Sequence, residues 1–127
     1  MTTRIRVGTA SPYDVVVGER LGGELPGLLT GAQRVAVVHP ASLAVTGAAV
    51  VADLRAEGFE ARALAVPDGE QSKDLQVAAQ LWDALGDGGF TRTDALVAVG
   101  GGATTDLAGF VAATWLRGVR VVHLPTT

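Results

Sequence analysis

The sequence predicts an α/β domain wound in both directions about a parallel sheet. Three observations carry that expectation. Val35-Ala36-Val37-Val38 and Ala95-Leu96-Val97-Ala98-Val99 are unbroken apolar runs, as strands buried on both faces require. Segments of helical period lie between such runs. A glycine triplet, Gly100-Gly101-Gly102, follows one run and precedes a helical segment.

Taken in order, Ile5-Arg6-Val7 and Tyr13-Asp14-Val15-Val16-Val17 read as two strands joined by the turn residues Gly8 to Pro12. A short helix through Leu21, Leu25, Leu28 and Leu29 follows, weakened by Pro26 and its glycines. After the Val35–Val38 strand, Leu43, Gly47, Val50, Val51 and Leu54 recur at helical spacing and stop at Gly58. Phe59 to Val66 is a third strand candidate, closed by the turn Pro67-Asp68-Gly69. Ser72 is the expected cap of a helix whose inward face is Leu75, Ala78 or Ala79, Trp82 and Leu85. The helix from about Thr104 to Arg117 is apolar nearly all round, with Asp106 and Arg117 placed to suit its dipole. Gly118 ends it, and Val119 to Leu124 begins another strand. Strand and helix in alternation imply right-handed crossovers and a doubly wound parallel-sheet, Rossmann-like nucleotide-binding domain, with residues 1–127 one unit. The chain stops at Pro125-Thr126-Thr127, where a strand should deliver its carboxyl-end loop, so the expectation is a domain cut within its site.

Composition narrows the partners. A net charge of −3 gives no basic footprint for nucleic acid. The longest apolar stretch, Leu43 to Leu54, is broken by Thr46, Gly47 and Asp53 and is too short for a bilayer. The first residues lack the apolar core of a secretory signal, so a cytoplasmic protein is expected. There are no cysteines, and His39 and His123 show no paired metal-ligand spacing. His39, at a strand's carboxyl end, is placed to meet an adenosine; His123 reads as a core or edge residue, and Trp82 and Trp115 as core.

Two segments carry chemistry. In Gly100-Gly101-Gly102-Ala103-Thr104-Thr105-Asp106, glycines let a phosphate approach the backbone, and the N–H groups of a helix start attract anions. The usual dinucleotide fingerprint is not met, since Thr105 stands where a third glycine belongs and no acid follows about 20 positions on. From these residues alone, a phosphate cradle and a tight capped turn both remain open. Asp106 suits a helix cap or a ribose hydroxyl better than a pyrophosphate. The other segment, Pro67-Asp68-Gly69-Glu70-Gln71-Ser72-Lys73, offers carboxylates for ribose hydroxyls and an amine for an electron-rich group, yet alone it reads as a solvated turn.

Together with Arg117-Gly118-Val119 and Leu124-Pro125-Thr126-Thr127, these segments resemble 3-dehydroquinate synthase, a sugar-phosphate cyclase, in order and spacing. The resemblance implies an NAD- and metal-dependent lyase of the shikimate pathway that converts 3-deoxy-D-arabino-heptulosonate 7-phosphate to 3-dehydroquinate and phosphate. It implies transient oxidation of a ring hydroxyl by NAD, phosphate elimination, return of the hydride and an intramolecular aldol closure. It places cofactor contacts on Asp68, Gly69, Glu70, Gln71, Ser72, Lys73, Gly102, Ala103, Thr104, Thr105, Asp106, Thr126 and Thr127. Arg117 matches an arginine that serves the substrate phosphate of a neighbouring subunit in a homodimer. Zinc or cobalt is implied, but its ligands and the catalytic residues belong to the family's helical C-terminal domain, so this fragment is expected to hold neither and to be inactive alone. The chain departs from the pattern at Thr104 and Thr105, where many members carry Val or Ile and a further Gly, and at His39-Pro40. A glycerol-dehydrogenase-like enzyme, a related cyclase and a non-catalytic nucleotide-binding module are the competing readings.

Overall fold

The computed structural model describes residues 2–19 and 21–127. Strands β1 (Thr3–Val7) and β2 (Tyr13–Val17) form an antiparallel ribbon of their own. The short helical expectation around Leu21–Leu29 resolves into a 3₁₀ turn, Leu21–Glu24, and a single α-turn, α1 (Leu25–Leu28). From there the chain alternates: β3 (Arg34–Pro40), α2 (Ala44–Ala56), β4 (Glu60–Val66), α3 (Leu75–Asp87), β5 (Ala95–Gly100), α4 (Gly102–Thr114) and β6 (Arg120–Pro125).

β3 to β6 make one parallel sheet in the spatial order β4-β3-β5-β6. The winding therefore reverses between β3 and β5, and the two strands leave a crevice beyond their carboxyl ends. Alternation along each strand builds a core on either side. Ala36, Val38, Leu96 and Ala98 face α3 and α4 through Ala78, Leu81, Leu85, Leu107, Ala108 and Val111. Val35, Val37, Ala95, Val97 and Val99 face α1 and α2 through Leu25, Leu29, Val51 and Leu54. Because side chains alternate in a strand, continuous apolarity in β3 and β5 is what two covered faces demand. Each buried Val or Leu contributes roughly 1.5–3 kcal/mol.

The amino ends of β3 and β5 are tied by one side chain. Asp94 is 1% exposed. Its Oδ1 accepts from the backbone N–H groups of Gln33 (3.1 Å) and Arg34 (2.8 Å). Its Oδ2 accepts from the Thr91 N–H at 2.8 Å and the Thr91 hydroxyl at 3.1 Å.

Three sequence expectations need correction. Ser72 does not cap α3; it lies buried in a 3₁₀ turn, Gly69–Ser72, and its hydroxyl donates to the Gly69 carbonyl at 2.9 Å. Asp74 is the cap, accepting from the Gln76 N–H. Leu75 does not face inward but is 70% exposed, and the buried face of α3 is Ala78, Leu81 and Leu85. The last helix begins at Gly102 and stops at Thr114, before Arg117. Leu116 (φ 49°) and Arg117 (φ 67°) are both left-handed, so Arg117 leaves the chain from a kink and not from a helix terminus.

Candidate functional site

Four strand ends meet at the carboxyl edge of the sheet. Pro40 ends β3, Asp68 follows β4, Gly101 follows β5, and Thr126 and Thr127 follow β6. Together with Ser42, Leu43, Gly69, Gly102, Ala103 and Thr104 they line a cleft of about 550 Å³. This is within the roughly 300–1,000 Å³ of typical small-molecule sites.

The glycines of this edge differ in purpose. At Gly100, φ is +156°, and a Cβ would lie 2.9 Å from Thr104 and 3.2 Å from Pro40 Cδ. That glycine lets β3, β5 and α4 converge. A Cβ at Gly101 would come within 3.0 Å of the Thr127 hydroxyl. At Gly102 a Cβ would meet nothing within 4 Å, so packing does not require glycine there. The absent side chain leaves backbone exposed on the cleft wall. The N-cap, Gly101, has no side chain to cap α4, so N–H groups of the first helical turn remain for an anion. A Thr126 N–H bond to the Gly100 carbonyl, at 3.0 Å, pins the end of β6 against this loop.

The opposite wall is acidic. Asp68 Oδ1 accepts from the Ser42 hydroxyl at 2.6 Å and from the Ser42 N–H at 3.0 Å. The Ser42 hydroxyl, and then its N–H, hold the Asp68 carboxyl below its ordinary range. The cleft thus has donors on the α4 side and an ionised acceptor on the other, which fits a ligand carrying both a phosphate and free hydroxyls.

Of the expected contact residues, Asp68, Gly69, Gly102, Ala103, Thr104, Thr126 and Thr127 line this cleft. Lys73 and Asp106 line a neighbouring groove of about 470 Å³ with Leu75, Leu107 and Phe110. Lys73 Nζ lies 2.8 Å from Asp106 and 3.3 Å from Glu70, and those two bonds raise its pKa. Asp106, anticipated as a cap or hydroxyl acceptor, is the fifth residue of α4 and carries this ion pair. Glu70 and Gln71 are exposed, and the Thr105 hydroxyl turns back to the Gly101 and Gly102 carbonyls.

His39 is not on the cleft wall. It points to the α2 face, where its ring sits so close to Gly47 that a Cβ there would be 2.5 Å from Cδ2. Its Nδ1 donates to the Pro40 carbonyl at 2.8 Å. Sequence reasoning passed over Ser42; its partner lies 26 residues away, and only a hydroxyl shortly before a helical run marked it. Among the described residues no group of three or more His, Cys, Asp or Glu comes together to hold a metal.

With this geometry in hand, the relatives are informative. A family model described as 3-dehydroquinate synthase N-terminal matches residues 63–127. The 3-dehydroquinate synthases of Streptomyces coelicolor and Thermobifida fusca are 60% and 61% identical to this chain, in alignments covering 98% of it. The chain spans about a third of their length, 36% and 34%. Among solved structures, a 2-deoxy-scyllo-inosose synthase complexed with carbaglucose-6-phosphate, NAD+ and Co2+ superposes with a TM-score of 0.87 at 22% identity. The match covers 98% of this chain and 35% of that one, and at that identity it speaks to the fold alone. The 2-epi-5-epi-valiolone synthase of Streptomyces hygroscopicus subsp. jinggangensis, with NAD+ and Zn2+ bound, reaches 0.77 at 27% identity over the same shares.

Proposed function

This chain belongs to the 3-dehydroquinate synthase family, and from that premise we propose that it is the NAD-binding portion of an enzyme that converts 3-deoxy-D-arabino-heptulosonate 7-phosphate to 3-dehydroquinate and phosphate. The observation that carries the reading is the cleft with two unlike walls, uncapped N–H donors at Gly102 and an ionised Asp68 opposite, at the point where the sheet reverses its winding. The residues present fit a dinucleotide. When bound, NAD supplies a reversible hydride acceptor.

In this reading the first turn of α4 holds the pyrophosphate through backbone N–H groups, which the open Gly102 position leaves approachable. Asp68 accepts from ribose hydroxyls, and Thr126 and Thr127 close the β6 side of the cleft. The expected contacts from Glu70, Gln71, Lys73, Thr105 and Asp106 then lie along the rim toward the groove between α3 and α4. Ser72 supports the loop from beneath through its bond to Gly69.

Zinc or cobalt serves as the metal of the intact enzyme in this proposal, held by residues outside this chain. Arg117, exposed in its left-handed kink, reaches the substrate phosphate of a second subunit in a homodimer. A planar guanidinium suits a phosphate better than an ammonium would. The proposal includes a cytoplasmic location; separately, no helix of the described residues is long and apolar enough to cross a membrane.

Gly102→Val in the intact protein tests the placement. Because nothing lies within 4 Å of that Cβ, the variant should fold normally while its branched side chain enters the space needed by the pyrophosphate. Titration calorimetry should show NAD affinity reduced roughly tenfold or more at an unchanged melting temperature. Unchanged affinity in the folded variant rules the placement out.

A further inference from the structure

Asp68 is held from one side only. Both hydrogen bonds from Ser42, 2.6 Å from the hydroxyl and 3.0 Å from the N–H, converge on Oδ1. Oδ2 has no hydrogen-bond partner among the described residues. Ser42 lies in the 3₁₀ turn Ala41–Leu43 that leads from β3 into α2, whereas Asp68 follows β4. The contact therefore joins two loops that have no other hydrogen bond to one another. Ser42 and Asp68 also line the same cleft.

An ionised carboxylate only accepts, so a fixed one selects for hydroxyl donors and against anions. A carboxylate free to rotate would turn away from a phosphate; one anchored at Oδ1 cannot do so without breaking two bonds. We propose that Ser42 is a positioning residue that locks Asp68 as a one-sided acceptor for a ribose diol, so that the cleft admits the dinucleotide with free hydroxyls and refuses its 2′-phosphorylated form. This rests on the cofactor reading above, and it adds both a residue and a basis for selectivity to that reading. The charge arrangement supports it. The α4 start draws one phosphate group to its own wall, and a second phosphate on the ribose would be directed at Asp68.

The test uses the intact protein and titration calorimetry with NAD and NADP, with thermal melts as a folding control. Ser42→Ala removes the hydroxyl bond and keeps the backbone one. NAD affinity should fall roughly three- to tenfold, about the net worth of one ordinary hydrogen bond, while weak NADP binding does not fall with it. The NAD-to-NADP ratio should therefore narrow. Ser42→Thr, which keeps the hydroxyl, should restore the ratio, and Asp68→Asn, which removes the charge, should narrow it further. A wild-type ratio in Ser42→Ala, or a Ser42→Thr protein that behaves like the alanine variant, overturns the role of Ser42. If Asp68→Asn and Gly102→Val both leave NAD affinity untouched, the cofactor reading itself falls and this inference falls with it. A change in Asp68→Asn with Ser42→Ala unchanged leaves the cofactor reading standing and removes only the role of Ser42.

Discussion

The two ends of the same sheet solve opposite problems. At the amino ends, Asp94 is buried and its two oxygens accept four hydrogen bonds from Gln33, Arg34 and Thr91. At the carboxyl ends, Asp68 is exposed, is bonded among the described residues only to Ser42, and leaves its Oδ2 open. Each is an aspartate in a loop beside a strand. What separates them is satisfaction: the first carboxylate is spent on closing the fold, and the second is left half-used beside a cleft. Glycines follow the same division, since Gly100 is required by packing and Gly102 is not. A buried carboxylate with every bond made serves stability, whereas an exposed one with an open oxygen beside a cleft is available to a ligand.

If that contrast is right, the largest effect on stability comes from the closed end. Asp94→Ala orphans three backbone N–H groups, each worth about 1–3 kcal/mol when left unpaired, so a loss of about 3 kcal/mol or more is expected. Thermal denaturation should show a fall of roughly 10 °C. The acid limb offers a second reading. Burial raises the Asp94 pKa, but the hydrogen bonds from Thr91, Arg34 and Gln33 outweigh it, and the folded value lies below the ordinary one. Stability from Asp94 is thus complete above the ordinary carboxylate range, near about 3.9, and is lost as pH falls through its depressed folded value. Asp94→Asn should flatten that limb in a stability-versus-pH series.

Next in size is a pair of alanine variants within the open end. Gly100→Ala forces a Cβ to within 2.9 Å of Thr104 at φ +156° and should cost about 1–3 kcal/mol. Gly102→Ala should change stability by no more than about 0.5 kcal/mol. Equal losses by chemical denaturation would erase the distinction drawn between these neighbours.

The smallest effect belongs to the rim. Asp106→Asn removes one of the two acidic partners of an exposed Lys73, and exposed pairs contribute little. The melting midpoint should drop slightly at low ionic strength, and the difference from the parent should vanish near about 1 M salt, where screening acts within about 3 Å. A large, salt-insensitive loss would make Lys73–Asp106 part of the scaffold.

The closed core was legible because burial on both faces leaves a direct imprint. β3 and β5 contain no polar residue between Val35 and Val38 or between Ala95 and Val99. The turn from β5 into α4 was legible for a similar reason, as three glycines in a row end one element before the next begins. Errors arose where two residues of one chemical type compete. Ser72 and Asp74 are both capping residues, and the 3₁₀ turn that takes Ser72 inward has no sequence signature. Leu75 and Leu81 are both apolar at helical spacing, and only the docking of α3 chooses Leu81. Trp115-Leu116 prolongs the apolar pattern of α4, while the left-handed turn at Leu116 contradicts that residue's own preference. Ser42 stayed hidden because its meaning depends on a residue across the cleft.

The ribbon of β1 and β2 has a kinetic consequence. Its register places Ile5, Val7, Tyr13 and Val15 on one face, and Ile5, Tyr13 and Val15 there stay 40–55% exposed, whereas β3 and β5 are sealed in. Two strands alone are marginal in water, so their hydrogen bonds open without waiting for the sheet to unfold. In deuterated solvent the amides of the ribbon should therefore exchange first and separately, while those of Val35–Val38 and Leu96–Val99 wait for global unfolding. The molecule would carry two clocks, and only the slower one would report on the domain that holds the cleft.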